Sequence, residues 1–530
     1  MSPIHTLEFA VALGRCLPLL SRPVIAVANS AGPDSTCLLF LLRQLFPPHA
    51  LLSIHVHHHL QHASSLMART AAKNAHILGI PHHLAHIPWG ASPFPPIPTT
   101  GPVERITREA RYNLLFHLIS RARVSLLALG HHADDQLETA IMRLACGSTL
   151  LAAGMRPCRR WGMGSNSPLA LFGHQGLNAF VLRPLLPFPK DRILATCHAN
   201  HLHYINDPTN VQPHITPRNA IRHCLRDPPF SRPVTLPPTA PVSLIKIKNA
   251  VLLLQDIAPD VAGEKRRLHA AVAKLTAKTE YVDRKVTSHL TQHVLPSPIG
   301  TLLLSSTKLL DITDPDVRFT LVLRVIRYVS FHPWGSLRAD ADRRRSSIHR
   351  IVSALWASDP QKSQTKKFTA GGGVLWTPAI YNPNKSLRLG NQCLHTTLHP
   401  GDHFCWLASR VPPFSKNPQQ GAGSPTKLVI DLTERLKATM ISDPLQVLYD
   451  CRFLLRIDPL QMPTYVKSSL DDTASIKVLP FTHYYWPKVV LQRESHPDQV
   501  LAVPNEDGTV DATMPQSWIS IQWVRPLDAI

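Results

Sequence analysis

At 530 residues the chain is too long for a single hydrophobic core, and roughly two to four domains are expected. Lys and Arg number 56 against 35 Asp and Glu, a net charge of +21 that points to a polyanionic partner, nucleic acid first, with compositional drift or an organellar address as the bland alternative. The 9 cysteines include no Cys-x-x-Cys pair, which argues against a zinc ribbon or a cysteine-bound iron–sulfur cluster and fits a reducing compartment. No uncharged apolar run reaches the roughly 18–20 residues that span a bilayer, so no membrane is expected.

Residues 7–20 read as an amphipathic helix that leads into the apolar strand Val24-Ile25-Ala26-Val27-Ala28. The strand runs into Asn29-Ser30-Ala31-Gly32-Pro33-Asp34-Ser35, and residues 35–42 read as a helix. Strand, small-residue turn and helix is the layout of a nucleotide site. Gly32 permits close approach of the backbone, and the helix start offers N–H groups and a positive dipole end to an anion. Ser30 and Ser35 add hydroxyls, and Asp34 can hold the magnesium that accompanies a phosphate. No Gly-Lys-Ser/Thr follows, so this is not a Walker-type loop. Taken alone, such a turn is more often structural.

A second strand spans 51–56 and is followed by His57-His58-His59. Successive side chains on an extended segment point opposite ways, so the three cannot all face one ion, and a metal reading is disfavoured. Residues 64–78 are helical in period with Gly79 as the stop, 81–86 form a strand, and 89–102 form a Pro-rich loop. A long helix at 103–121 carries Ala110-Arg111-Tyr112, and a fourth strand covers 124–129. Strands alternating with helices indicate an α/β domain with a parallel sheet, whose ligands sit beyond the carboxyl ends of the strands at the switch point. Both the Ser30 turn and the segment after Leu129 lie there.

That segment reads Gly130-His131-His132-Ala133-Asp134-Asp135-Gln136-Leu137-Glu138-Thr139 and continues as a helix. Asp134 and Glu138 are four apart and Asp135 and Glu138 three apart, spacings that share a helix face. Helix capping explains acids at such a start. An acidic pocket in so basic a chain would also suit a metal ion or the amine of a small cationic substrate, with His131 and His132 available for acid–base chemistry or phosphate contact. Further on, Arg183-Pro184-Leu185-Leu186 precedes a helix at 190–200, and Asn206-Asp207-Pro208-Thr209-Asn210 is a turn-rich loop. Arg218-Asn219-Ala220-Ile221-Arg222-His223 follows, with Arg218 and Arg222 on one helix face, placed to stabilise phosphate charge or hold an RNA backbone.

Residues 227–243 read as a Pro-rich linker. Helical, basic stretches at 259–293, 314–331 and 348–356, the last preceded by Arg343-Arg344-Arg345, suggest a helical domain over 244–358 with surfaces for a nucleic-acid backbone. Runs at 362–389, 428–432, 447–457, 464–467, 477–480 and 517–524 suggest a β-containing region over 359–530, with a flexible loop at 416–427.

In combination these motifs resemble a known family. Ser30-Ala31-Gly32-Pro33-Asp34-Ser35 is similar to the Ser-Gly-Gly-x-Asp-Ser loop of the N-type ATP pyrophosphatases of the PP-loop superfamily. His132-Ala133-Asp134-Asp135-Gln136-x-Glu138-Thr139, with Arg143 and Gly147 downstream, resembles the hallmark of one branch, the tRNA(Ile)-lysidine synthases. The Ala110–Tyr112, Arg183–Leu186, Asp207–Asn210 and Arg218–Arg222 segments resemble that branch in the same order, over roughly residues 20–225. Beyond about residue 240 the likeness thins to Tyr449-Asp450-Cys451-Arg452-Phe453.

The resemblance implies an adenine nucleotide alpha hydrolase-like, Rossmann-like catalytic domain over 1–226 ahead of a helical domain and a mixed α+β region. It implies ATP and Mg2+ as cofactors, and tRNA(Ile) and free lysine as substrates. The C2 carbonyl oxygen of the wobble cytidine is adenylated, and lysine then displaces AMP to leave lysidine. Ser30, Ala31, Gly32, Pro33, Asp34 and Ser35 would bind the nucleotide. Asp34, His132, Asp135 and Arg111 would be catalytic, with Asp34 and Asp135 on the metal. Asp134, Asp135 and Glu138 would attract the lysine ammonium, and Arg218, Asn219 and Arg222 would contact tRNA. A homodimer is left open, and the location is mitochondrial for a eukaryotic source and cytoplasmic otherwise.

Two positions depart from the family pattern. Ala31 stands where glycine is usual, and if that position needs φ > 0 alanine is strained there by about 1 kcal/mol or more. Pro33 removes one N–H. A tRNA-thiolating relative and a catalytically silent tRNA-binding protein are the competing readings. The missing Cys-x-x-Cys opposes the first, and the intact acids and serines oppose the second.

Overall fold

The computed structural model describes residues 2–18, 23–60, 63–99, 103–164, 167–206, 217–225, 243–336, 339, 344–357, 366–389, 399–412, 428–439, 444–471, 474–481, 484–494, 496–505, 510–512 and 518–529. Most of the expected linker, the Asp207-Pro208-Thr209-Asn210 motif, Arg343 and the 416–427 segment lie outside the described residues. The chain divides into two compact units, one built of residues up to 281 apart from a short piece at 162–165, the other of that piece and residues 282–529.

In the first unit α1 (Thr6–Gly14) precedes β1 (Ile25–Ala28), α2 (Pro33–Leu45), β2 (Leu51–His57), α3 (Ser64–Ile77), β3 (His82–His86), α4 (Val103–Arg121), β4 (Leu126–Ala128), α5 (Ala133–Ala145) and the single turn α6 (Leu150–Ala153). Then come β5 (Cys158–Arg160), β6 (Phe180–Leu182), α7 (Lys190–Ala199), α8 (Pro217–Cys224), α9 (Leu244–Gln255) and α10 (Glu264–His293), of which the part up to Tyr281 belongs here. The sheet has the order β3-β2-β1-β4-β6-β5, parallel except for the edge strand β5.

β1 is central, with Ile25 paired to Leu51 on one side and Leu126 on the other. Ile25 and Val27 point into a core shared with Phe9, Leu38, Leu42 and Ile193, while Ala26 points to the opposite face against Phe116 and Ile119 of α4. Period-2 alternation thus feeds two helix layers, and an apolar strand buried on both faces is the consequence. α2 begins where Pro33 tolerates the missing N–H of a first turn, carries Asp34 at its positive end and Arg43 at its negative one, and buries Leu38, Leu39, Leu41 and Leu42. Strand order reverses between β1 and β4, so the segments after both strands meet at the switch point. α9 went unread in the sequence. Its Ile247, Val251 and Leu254 pack with Leu137 and Ile141 of α5 and Leu268 and Val272 of α10, closing the back of the α5 helix.

The second unit contains β7 (Val294–Leu295), β8 (Leu302–Ser305), α11 (Ser306–Leu310), α12 (Pro315–Val329), α13 (Arg345–Leu355), β9 (Phe368–Thr369), β10 (Val374–Asn382), β11 (Lys385–Leu389), β12 (His403–Arg410), β13 (Ile430–Asp431) and α14 (Thr433–Thr439). It continues with β14 (Leu445–Tyr449), β15 (Phe453–Ile457), α15 (Thr464–Asp471), β16 (Ser475–Pro480), β17 (Pro487–Gln492), β18 (Gln499–Pro504), β19 (Val510–Ala512) and β20 (Ile519–Trp523). Three sheets run β11-β10-β12-β8-β7, β13-β16-β17-β18-β19 and β14-β15-β20, and their pairings are antiparallel.

The 464–467 run, read as part of a β region, is helical instead. Val466 and Leu470, four apart, are both buried, a helical rather than an alternating pattern. The Tyr449–Phe453 motif is a tight hairpin whose central residues Asp450 and Cys451 both have φ of 51°. The Asp450 carboxylate accepts from Arg410 Nε at 2.7 Å and from Arg452 Nε at 2.7 Å, pinning the turn.

Candidate functional site

The site is built on the turn between β1 and α2. Asn29, at the end of β1, is buried and holds the turn from beneath. Its Nδ2 donates to Ser53 Oγ at 3.1 Å and to Ala71 O at 3.3 Å, and its Oδ1 accepts the Ala31 N–H at 3.0 Å. Ser35 Oγ accepts the Ser30 N–H at 3.1 Å, lies 3.2 Å from Ser30 Oγ and donates to Gly32 O at 3.2 Å. Two of the turn's N–H groups are therefore consumed internally. Among the described residues none accepts from the main-chain N–H of Gly32, Asp34 or Ser35, and these open the positive end of α2 to an anion.

Ala31 carries the left-handed conformation, with φ of 62°, and is fully buried. Gly32 does not: its φ is −74°, and it serves as N-cap of α2. The conditional expectation at Ala31 is met, and the strain sits there. The Asn29 and Ile205 bonds to the Ala31 N–H and carbonyl hold the peptide against it.

Gly130, between β4 and α5, meets the back of this turn. A Cβ there would stand 3.0 Å from Asp34 C and 3.1 Å from Ser35 N. The lack of a side chain lets α5 start beside α2. His132 caps α5 in a reciprocal box, its Nδ1 accepting the Asp134 N–H at 3.2 Å while Asp135 Oδ2 accepts the His132 N–H at 3.1 Å. The buried His132 ring then places Nε2 3.3 Å from Asp135 Oδ2 and 3.7 Å from Asp34 Oδ1. Asp34, His132 and Asp135 thus converge. Burial works to raise the Asp135 carboxyl, but His132, His131 and Arg218 outweigh it and hold it low. Lys190, the first residue of α7, sets Nζ 2.5 Å from Asp34 Oδ1.

The three α5 acids are not equivalent. Asp134 accepts the Lys190 N–H at 2.8 Å, lies 2.8 Å from Lys265 Nζ and 3.5 Å from His269 Nε2, and so ties α5 to α7 and α10. Burial opposes its ionisation, yet the nearby His269 ring, Lys265 and the Lys190 N–H hold it well below the usual carboxylate range. Glu138 is buried and clamped by Arg222, whose Nε and Nη2 donate at 2.7 and 3.0 Å. Burial pushes the Glu138 carboxyl up, and Arg222 draws it back. Asp135 is the acid left facing His132 and Asp34.

Arg218 and Arg222 correspondingly turn inward. Arg218 Nη2 donates to Thr139 Oγ1 at 3.0 Å and its Nε lies 3.6 Å from Glu138 Oε2, so these guanidinium groups are engaged by α5 rather than held out for an RNA backbone. Asn219 is buried. Arg111 does not join the convergent group. It stands on α4 near His58, whose ring burial and the Arg111 charge push down to about 3.

Asn29 and Gly130 fall within segments singled out in the sequence and Lys190 starts an expected helix, but none of the three is given a role there. One local signal marks Lys190: a cation in the first turn of a helix opposes the dipole and needs another reason to be there. A second basic cluster also emerged. Burial and then Arg159, with Arg143 and Arg108 adding, push Arg183 down to about 10. Arg183 Nε donates to His131 Nδ1 at 3.2 Å, and burial followed by the Arg183 charge pushes His131 down to about 3. So many guanidinium groups acting on one another make a field suited to a polyanion.

Residues 7–227 match the family described as PP-loop domain. The tRNA(Ile)-lysidine synthase of Methylobacterium nodulans is 33% identical over 209 residues, 39% of this chain and 56% of that protein. The probable tRNA(Ile)-lysidine synthase of Schizosaccharomyces pombe is 29% identical over 234 residues, 42% of this chain and 49% of that protein. Among solved structures, the U34-tRNA thiolase NcsA from Methanococcus maripaludis with its [4Fe-4S] cluster aligns with 16% identity and a TM-score of 0.32, covering 51% of this chain and 79% of that one. The chain spans about half the length of the curated relatives it matches. The turn between β1 and α2 and the His132–Thr139 helix start lie within residues 7–227, the part of the chain that matches the PP-loop domain and is similar to the tRNA(Ile)-lysidine synthases.

Proposed function

We propose that the protein uses ATP to ligate lysine to C2 of the wobble cytidine of a tRNA(Ile) with a CAU anticodon, giving lysidine, AMP and pyrophosphate. The observation that carries this reading is the convergence of Asp34, His132 and Asp135 beside the open N–H groups of α2. The Gly32, Asp34 and Ser35 N–H groups, with the exposed Ser30 hydroxyl, receive the pyrophosphate portion of the nucleotide. Lys190, now on Asp34, is within reach of the same phosphates. The His132 Nε2, between two carboxylates, is the group able to hold or pass a proton as the carbonyl oxygen of the base attacks or the amine enters. Asp135, whose ion pair with Arg222 Nη2 is long at 3.7 Å, is the acid best placed to attract the lysine ammonium, because Asp134 and Glu138 are held by cations of the protein's own at 2.8 and 2.7 Å. The cytidine must be splayed from its loop to arrive there.

Asp34 and Asp135 present hard carboxylate oxygens from two helix starts on either side of His132, a donor set that fits Mg2+. When bound, the ion would neutralise charge on the departing pyrophosphate.

The test is incorporation of labelled lysine into tRNA(Ile) bearing CAU in the presence of ATP. Lysine should be incorporated, and Asp34→Ala should lower the rate about 100-fold or more. Tight tRNA binding with no incorporation would replace this reading with the catalytically silent one. The strained Ala31 favours that second reading, and the intact hydrogen bonding of Asn29 and Ser35 beneath it opposes it.

A further inference from the structure

The three adjacent histidines after β2 divide. His58 turns away toward Arg111, while His57 and His59, two apart, stay on one side. A third ring joins them from β3. His57 and His86 are direct partners in the parallel register of β2 and β3, and each closes its strand. Ring centroids are 4.0 Å apart for His57 and His59, and 5.0 Å for each of these against His86. His59 Nε2 lies 2.9 Å from His86 Nδ1. One nitrogen from each ring falls within 4.8 Å of the other two. His59 holds a left-handed φ of 59°, so the chain turns to bring its ring back over His57.

We propose that His57, His59 and His86 form a binding site for a zinc-class transition-metal ion at the carboxyl ends of β2 and β3. Imidazole nitrogen is the ligand these ions favour. Zn–N bonds of about 2.0–2.1 Å put tetrahedral ligand nitrogens about 3.4 Å apart. The observed cluster closes to that by rotation of the two exposed rings, His59 and His86, which also give the ion its way in from solvent. His57 is the buried ligand that fixes the site. Its Nδ1 now accepts the His59 N–H at 3.3 Å, a long bond whose lone pair the ion would take. Three imidazoles leave the fourth position to water. The ion would clamp the end of β2 and the following turn to β3.

The experiment is a titration of the metal-stripped full chain with Zn(II) and Co(II), read by calorimetry, visible Co(II) absorption and the thermal midpoint. The chain should bind one more equivalent than the His59→Ala/His86→Ala double variant, with a Co(II) spectrum and a zinc-dependent rise in Tm that the double variant lacks. His83→Gln, an exposed histidine on the same strand, should behave as wild type. Because both replaced rings are exposed, the double variant should keep the Tm of the metal-free protein. Equal stoichiometry and affinity in wild type and double variant would overturn the proposal and leave the 2.9 Å contact as a hydrogen bond between two histidines. None of these readouts depends on lysine transfer, so failure here is separable from failure of the proposed reaction.

Discussion

Lys190 Nζ sits 2.5 Å from Asp34 Oδ1, so the acid at the start of α2 is neutralised by a side chain 156 residues away. Polyphosphate arriving at the α2 start would compete for that ammonium and release the Asp34 carboxylate. Lys190→Met should therefore raise the KM for ATP about tenfold or more, with less effect on the KM for lysine. Steady-state lysine incorporation with each substrate varied in turn checks it, and an equal effect on both would point to general damage.

Gly130 has no room for a side chain. The atoms a Cβ would meet are Asp34 C at 3.0 Å, Asp34 Cβ at 3.1 Å and Ser35 N at 3.1 Å, all fixed by the main chain and unable to rotate aside. Gly130→Ala should cost about 1–3 kcal/mol of stability and weaken ATP binding, because relief comes only by moving α2 from α5. Thermal unfolding and nucleotide binding measured together distinguish this from a simple loss of stability.

Ala31 offers the opposite change. An L-residue at φ of 62° costs about 1–2 kcal/mol, and glycine gives back about 0.5–1 kcal/mol of that through the unfolded chain. Ala31→Gly should raise stability by up to about 1 kcal/mol and leave lysine incorporation equal or higher. A fall in both Tm and activity would mean that the buried methyl packs better than the strain suggests.

The neutral histidines of the first unit set an acid limb. Burial and Arg183 hold His131 at about 3, and burial and Arg111 hold His58 at about 3. Each is neutral in the fold and gains a proton on unfolding below its unfolded value of about 6.5. Their contribution is complete above that value and is lost as pH falls from about 6.5 toward 3, at up to about 1.4 kcal/mol per pH unit for each. Asp134, held low, loses its contribution only below the ordinary carboxylate range, so the two effects separate. Urea midpoints should fall steadily from pH 7 to pH 5, and His131→Gln, which can still accept from Arg183, should flatten the slope.

What the sequence disclosed follows the distance over which each feature is determined. The β1 turn and α2 were legible because apolar run, small residues and capping lie within residues 24–42. The α5 start was legible for the same reason. The employment of its acids was not, since Lys190, Lys265 and Arg222 reach them from elements set by the tertiary fold. Alternation sets His58 apart from His57 and His59, but strand pairing supplied His86, which no local pattern announces. Asn29 ended an apolar strand as an apparent turn residue; only the fold brings Ser53 and Ala71 to its amide.

The Glu138–Arg222 clamp separates a structural arginine from an RNA contact. Glu138 is 2% exposed, so removing Arg222 leaves a buried carboxylate with, among the described residues, Arg218 at 3.6 Å to answer it. Arg222→Ala should cost about 2–4 kcal/mol. Much of that is the penalty of an unpaired charge, so Arg222→Met combined with Glu138→Leu should recover most of the stability. An arginine whose main work is on RNA would behave otherwise: the single change would leave Tm intact and weaken tRNA binding with a lower salt dependence. Thermal melts of the two singles and the double, with tRNA binding at two salt concentrations, decide between them. The bidentate geometry at 2.7 and 3.0 Å predicts the structural outcome, with tRNA affinity falling only as far as the folded fraction falls.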